Sequence, residues 1–264
     1  MLKIATWNIN SVRLRAEQVI RFLRETQPDV LCLQELKAAT DKFPKEAFEA
    51  IGYHYQQIHG QPGYNGVGFI ANCPIEYVET QFYCGRKDAR HLSVSLLSET
   101  RGTLTLHGFY VPSGGDAPNR DTNDKFGHKL DFLDAMATRL GRPCKALLMG
   151  DLNVAPMEND VWSHKQMLKV VSHTPIEVEK LKAVQNAGGW IDAARAFTND
   201  DEKLFSWWSY RSPNWRVANR GRRLDHIWVS EDLGDALVDC RVYDQTRDWE
   251  KPSDHVPVIL ELAA

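Results

Sequence analysis

The chain has 264 residues, 43% of them hydrophobic, which suits one large α/β unit spanning 1–264 with a substantial buried core. No run approaches the roughly 18 consecutive apolar residues of a membrane span, and Met1-Leu2-Lys3-Ile4 leads straight to polar Asn8 and Asn10, so neither a membrane anchor nor a signal peptide is expected. The formal charge of −3 gives no global sign of a polyanionic partner, but carboxylates gathered round a metal lower that sum by themselves, and basic residues do cluster at Arg86, Lys87 and Arg90 and again from Arg211 to Arg223.

In chain order, the apolar run Leu2 to Trp7 reads as a strand that ends in Asn8. Ala16, Val19, Ile20 and Leu23 follow at helical spacing. Val30 to Leu33 is a second strand, ending in Gln34-Glu35, and Val67 to Ala71, Leu92 to Leu97 and Leu104 to Val111 are further strands, the last carrying Tyr110. The turn-rich segment Pro112 to Asn123 predicts a long surface loop, after which Phe126, Leu130, Leu133, Ala137 and Leu140 resume a helical period. Ala146 to Met149 is a strand leading into Gly150-Asp151-Leu152-Asn153, and a helix is expected from Ile176 to Ala187 with Pro175 in its first turn. Ser212 to Arg222 reads as a second long loop. Asp225 and His226 open the strand Ile227 to Val229, and Ser253-Asp254-His255 precedes the closing strand Val256 to Leu262. These strands are too many for one comfortable sheet, which favours two sheets packed face to face with helices outside.

Polar residues fall at the carboxyl ends of the apolar runs, where strand ends converge on one rim. Asp151 and Asn153, two apart, share a side on an extended backbone, and Gly150 gives access to whatever they hold. Oxygen donors at Glu35, Asp151 and Asp254, with the amides of Asn8 and Asn153, suit a hard cation, Mg²⁺ or Mn²⁺. Zinc is not expected, because Cys32, Cys73, Cys84, Cys144 and Cys240 lack C-x-x-C spacing and the histidines lack H-E-x-x-H; the scattered thiols point instead to a reducing, cytoplasmic setting. His255 beside Asp254, with Asp225 to orient the ring, would serve water activation at a phosphate.

The blocks TWNIN (Thr6 to Asn10), LQE (Leu33 to Glu35), NGVG (Asn65 to Gly68), YVPSG (Tyr110 to Gly114), GDLNVAP (Gly150 to Pro156), SWWSYR (Ser206 to Arg211), RRLDHI (Arg222 to Ile227) and SDHVPV (Ser253 to Val258) together resemble the signatures of the exonuclease III family. Deoxyribonuclease I, sphingomyelinases and inositol-phosphate phosphatases share some of these elements, but the tyrosine block, the aromatic block and the arginine-rich stretch favour the repair branch. The resemblance implies a four-layer α/β sandwich, with two mixed β-sheets flanked by helices, and a monomer that needs no protein partner. It implies Mg²⁺-dependent cleavage of duplex DNA 5′ to abasic sites and removal of 3′-terminal nucleotides or blocking groups.

By the same resemblance Glu35 is the principal metal ligand, with Asn8, Asp151, Asn153, Asp254 and His255 as further ligands or near neighbours. Tyr110 leans on the scissile phosphate, Asn153 bonds the water or a phosphate oxygen, and Asp225 orients His255. Either Asp151 or His255 takes the proton from water; Asp151 is favoured here, with His255 on phosphate. Trp207 and Leu224 wall a pocket for a flipped, baseless sugar, whereas Trp208 is expected in the core. Arg90, Lys125, Lys129 and Arg211 are candidate DNA contacts, with a solvated helix face as the alternative for the two lysines. Ser209 stands where relatives often have Asp, and Arg222 where some place an apolar or aromatic pocket residue. Two other readings stand beside this one: a phosphodiesterase of the same fold for a small or lipid phosphate, and a DNA-binding module without catalysis.

Overall fold

The computed structural model describes residues 1–212 and 214–263. Its strands are β1 (Leu2–Asn8), β2 (Val30–Gln34), β3 (Tyr55–His59), β4 (Val67–Ala71), β5 (Ile75–Glu79), β6 (His91–Ser98), β7 (Gly102–Tyr110), β8 (Ala146–Asp151), β9 (Ile191–Asp192), β10 (Trp207–Trp208), β11 (Gly221–Arg222), β12 (Asp225–Val229), β13 (Leu237–Val242) and β14 (Val258–Leu262). One six-stranded sheet has the order β13-β14-β1-β2-β4-β3 and the other β5-β6-β7-β8-β12-β9, while β10 and β11 form a separate two-stranded ribbon.

Each large sheet holds one parallel pair, β1 with β2 and β7 with β8; the other pairings are antiparallel. A parallel pair needs a crossover, and a helix supplies it in both cases, Val12–Thr26 in the first sheet and Asp124–Leu140 in the second. The helices cover the outer faces. Val19, Phe22 and Leu23 of the first pack with Trp7, Leu31 and Leu33, and Phe132, Leu133 and Met136 of the second pack with Phe109 and Leu148 beside Leu181 and Val184 of helix Pro175–Gly188. Between the sheets, Ile4, Val30, Cys32 and Phe69 meet Leu104, Leu106, Leu147, Met149 and Ile227. Each such side chain contributes about 1.5–3 kcal/mol by leaving water. Close approach of the sheets demands Gly108, since a Cβ there would stand 2.6 Å from Cys32 Sγ and 3.0 Å from the Phe69 ring.

The two packed sheets with helices outside agree with the sequence expectation. Pro175 does open its helix, and 111–123 is free of helix and strand. The second expected loop is different: Trp215–Ala218 is a short helix and Gly221–Arg222 pairs with Trp207–Trp208, while Pro213 lies outside the described residues. Among the described residues no helix is long and apolar enough to cross a membrane.

Candidate active site

The two parallel pairs end at a common rim. Asn8 closes β1, Glu35 follows β2, Tyr110 closes β7 and Asp151 closes β8. The antiparallel neighbours return to the same place: Asp225 opens β12 directly opposite Asp151, and Asp254 and His255 lie just before β14. Asn8, Tyr110, Asp151, Asn153, Asp225 and His255 are buried, Glu35 and Asp254 half-buried. A cleft is lined by Glu35, Tyr110, Asp151, Asn153, Asp254 and His255, with Trp207, Leu224 and Arg222 on one wall.

Asn8 ties the sheets together. Its Nδ2 donates to Glu35 Oε1 at 2.9 Å and to Asp151 Oδ2 at 2.8 Å, and its Oδ1 accepts from the Asn10 backbone N–H at 3.1 Å. The amide therefore spaces two carboxylates rather than turning an oxygen to the cleft. Lys37, which sequence reasoning passed over, donates to Glu35 Oε2 at 2.8 Å and Asn10 Oδ1 at 2.6 Å. Asn10 in turn donates to Asp254 Oδ1 at 3.0 Å, and Trp207 Nε1 to Asp254 Oδ2 at 2.9 Å. Both oxygens of Asp254 thus have partners. Two signals in the sequence pointed this way: Asn10 belongs to the block around Asn8, and Lys37 is two residues past Glu35.

Asp151 and Asn153 meet as expected but by a different route. Asn153 is left-handed, with φ +55°, and its backbone N–H donates to Asp151 Oδ1 at 2.9 Å, so a tight turn joins the pair instead of strand alternation. Its Nδ2 donates to Asp151 Oδ2 at 3.0 Å and to the Val111 carbonyl at 2.9 Å. Gly150 is required by the neighbouring strand, not by a ligand: at its φ of +136° a Cβ would sit 2.0 Å from the Phe109 carbonyl oxygen.

His255 is held on its far side. Its Nδ1 donates to Asp225 Oδ2 at 2.8 Å, leaving Nε2 to face Asp151 Oδ2 at 3.7 Å. Ser206 Oγ donates to the same Asp225 oxygen at 2.7 Å while accepting from the N–H groups of Leu224 and Asp225, both at 3.0 Å. Burial disfavours a charged imidazole, but Asp225, Asp151 and Asp254 outweigh it and carry the His255 pKa up to about 10. Burial pushes Asp151 up to about 7, with Asp225 and Glu35 adding to it and His255 and the Asn8 hydrogen bond opposing it. Burial, with Glu35 and Asp151 nearby, also pushes the Tyr110 phenol well above its ordinary value, so it stays protonated.

One ligand atom each from Glu35, Asp151 and His255 lie within 4.8 Å of one another. Glu35 and Asp151 are therefore the residues placed to hold a metal ion.

The basic candidates divide. Lys129 is a correction: it is buried and paired with Glu177 Oε1 at 2.5 Å, with its Nζ also donating to the Asn153 carbonyl at 2.6 Å, so it neither faces solvent nor reaches DNA. Arg90 is committed inward, to Asp88 at 2.6 Å and the Tyr110 carbonyl at 3.2 Å, with its guanidinium 5.0 Å over the Tyr110 ring. It braces Tyr110 instead of standing free for a phosphate. Lys125 and Arg211 are exposed. Trp207 and Leu224 line the cleft, and Trp208 is buried beside Phe205 and Val256, as expected.

A model of the Endonuclease/Exonuclease/phosphatase family matches residues 5–255. Exodeoxyribonuclease III of Haemophilus influenzae is 32% identical over 271 residues, covering 98% of this chain and 99% of that relative. The solved AP endonuclease of Archaeoglobus fulgidus superposes with a TM-score of 0.91 at 30% identity, covering 100% of both chains. A Neisseria 3′ phosphatase bound to a product DNA hairpin superposes with a TM-score of 0.86 at 28% identity, again over 100% of both chains.

Proposed function

The chain belongs to the endonuclease/exonuclease/phosphatase family, and from that premise we propose that its rim cleft hydrolyses DNA phosphodiesters 5′ to abasic sites and at 3′ ends, as a Mg²⁺- or Mn²⁺-dependent enzyme. It is a DNA repair nuclease of the exodeoxyribonuclease III kind. The observation that carries the reading is the meeting of Glu35, Asp151 and His255, from distant parts of the sequence, within 4.8 Å beside a pocket walled by Trp207 and Leu224.

Glu35 and Asp151 would hold the cation, which when bound offsets phosphate charge and steadies the departing oxygen. His255, kept cationic by Asp225, offers Nε2–H to a non-bridging phosphate oxygen. Asp151 takes the proton from the attacking water, and Asn8 and Asn153 fix the direction of its carboxylate. Tyr110, its phenol kept protonated beside Glu35 and Asp151, presents a hydroxyl to the phosphate. Trp207 and Leu224 provide an apolar wall for a sugar that has lost its base. The whole 264-residue chain acts as one unit and as a monomer, in the cytoplasm, where its five unpaired cysteines remain reduced.

The test is product analysis on two matched duplexes, one abasic and one intact, with Mg²⁺ and with a chelator. Metal-dependent nicking 5′ to the abasic site, leaving a 3′-hydroxyl, is expected. Asp225→Asn should lower kcat by about 10²-fold through loss of the His255 cation. Inertness toward both duplexes alongside hydrolysis of a small phosphate ester would replace this reading with the small-substrate one.

A further inference from the structure

Adjacent arginines on β11 and just beyond it differ in how their charge is answered. Arg223 is buried with two carboxylates around it, Asp160 at 2.8 and 2.9 Å and Asp192 at 2.7 Å. Arg222 turns into the cleft. Its Nη1 donates to the Val171 carbonyl at 3.1 Å and to Ser172 Oγ at 3.0 Å, both neutral, and its guanidinium lies 4.9 Å over the Trp207 ring. Among the described residues no carboxylate pairs with it, and neither Nε nor Nη2 has a protein acceptor. Glu177, whose charge is felt at Arg222, is itself paired with Lys129.

A guanidinium drawn out of water without a counter-ion is costly, and its planar fork matches a carboxylate or phosphate. The wall it shares with Trp207 and Leu224 lies in the same cleft as Glu35, Asp151 and His255, so an anion reaching it belongs to the molecule whose phosphate is being cut. Resting on the reading of this cleft as a DNA phosphodiesterase site, we infer that Arg222 is a specificity residue that binds a second oxyanion beyond the scissile phosphate. It selects 3′ ends blocked by a carboxylate-bearing remnant, such as phosphoglycolate, over an uncharged baseless sugar. The reaction is the same hydrolysis: water oxygen bonds to phosphorus, the bond from phosphorus to the 3′-oxygen breaks, that oxygen takes up a proton, and phosphoglycolate leaves.

The experiment compares kcat/KM on two Mg²⁺-containing reactions, a duplex with a 3′-phosphoglycolate end and a duplex with an internal tetrahydrofuran site. Arg222→Leu should lower the ratio of the first to the second at least tenfold, and Arg222→Lys should recover part of it. A smaller change, or a greater loss at the tetrahydrofuran site, overturns the assignment and makes Arg222 a general backbone contact. Should Arg222→Leu fail to fold by circular dichroism, inhibition of the wild-type protein decides: 2-phosphoglycolate must bind at least tenfold tighter than ethyl phosphate, and equal inhibition sinks the idea. A wild-type protein that cuts neither duplex refutes the parent reading; one that cuts both, with an unmoved ratio, refutes only the role of Arg222.

Discussion

Among single residues, the ones legible in the sequence were those whose chemistry and position coincide. Asn8, Glu35, Tyr110 and Asp151 stand where apolar runs stop, and a strand end in an α/β fold is where side chains leave the core for a cleft. Basic residues were harder to place, because a sequence does not say whether a lysine meets water, DNA or a buried carboxylate. Lys129 meets Glu177, which also receives hydrogen bonds from the Ser172 and Thr174 N–H groups and Thr174 Oγ. Removing one partner of a buried pair strands the other, so Lys129→Met should destabilise the fold by about 3–5 kcal/mol, seen as a lower urea midpoint. A change below about 1 kcal/mol would mean that the backbone donors alone hold Glu177.

Among elements, the apolar strands were found and the edge strands were not. β5 and β13 expose several of their side chains, and β3 lies at the margin of its sheet, so none carries a continuous hydrophobic signal. The second sheet also sequesters imidazoles. Burial keeps His91 well below its ordinary pKa and lowers His107 and His226 to about 4. As pH falls from 6.5 towards 4 the unfolded chain takes up protons that these three refuse, so stability falls by about 1.4 kcal/mol per pH unit for each. Asp151, raised to about 7, opposes this by one proton, and His255, raised to about 10, is protonated in both states below 6.5 and adds no slope. Urea unfolding at pH 5.0 should therefore show a clearly lower midpoint than at pH 6.5; an unchanged or higher midpoint would contradict it.

For the whole molecule, the paired sheets followed from strand count, but the charge total misled in one direction. A sum of −3 conceals carboxylates gathered at the rim, while Lys125 and Arg211 stand exposed. Binding to duplex DNA should weaken steeply between 50 and 200 mM salt, as counterion release requires. A flat dependence, measured by fluorescence anisotropy with the metal withheld, would argue against phosphate contacts.

Asn8 belongs to one sheet and Asp151 to the other, so the proposed hydrolytic centre would work as a calliper set across the gap between them. Gly108→Ala would force a methyl against Cys32 and Phe69 and widen that gap. Its turnover should collapse at temperatures where circular dichroism still reports a folded chain, because a jaw opened by a fraction of an ångström loses its grip on phosphate long before the layers part.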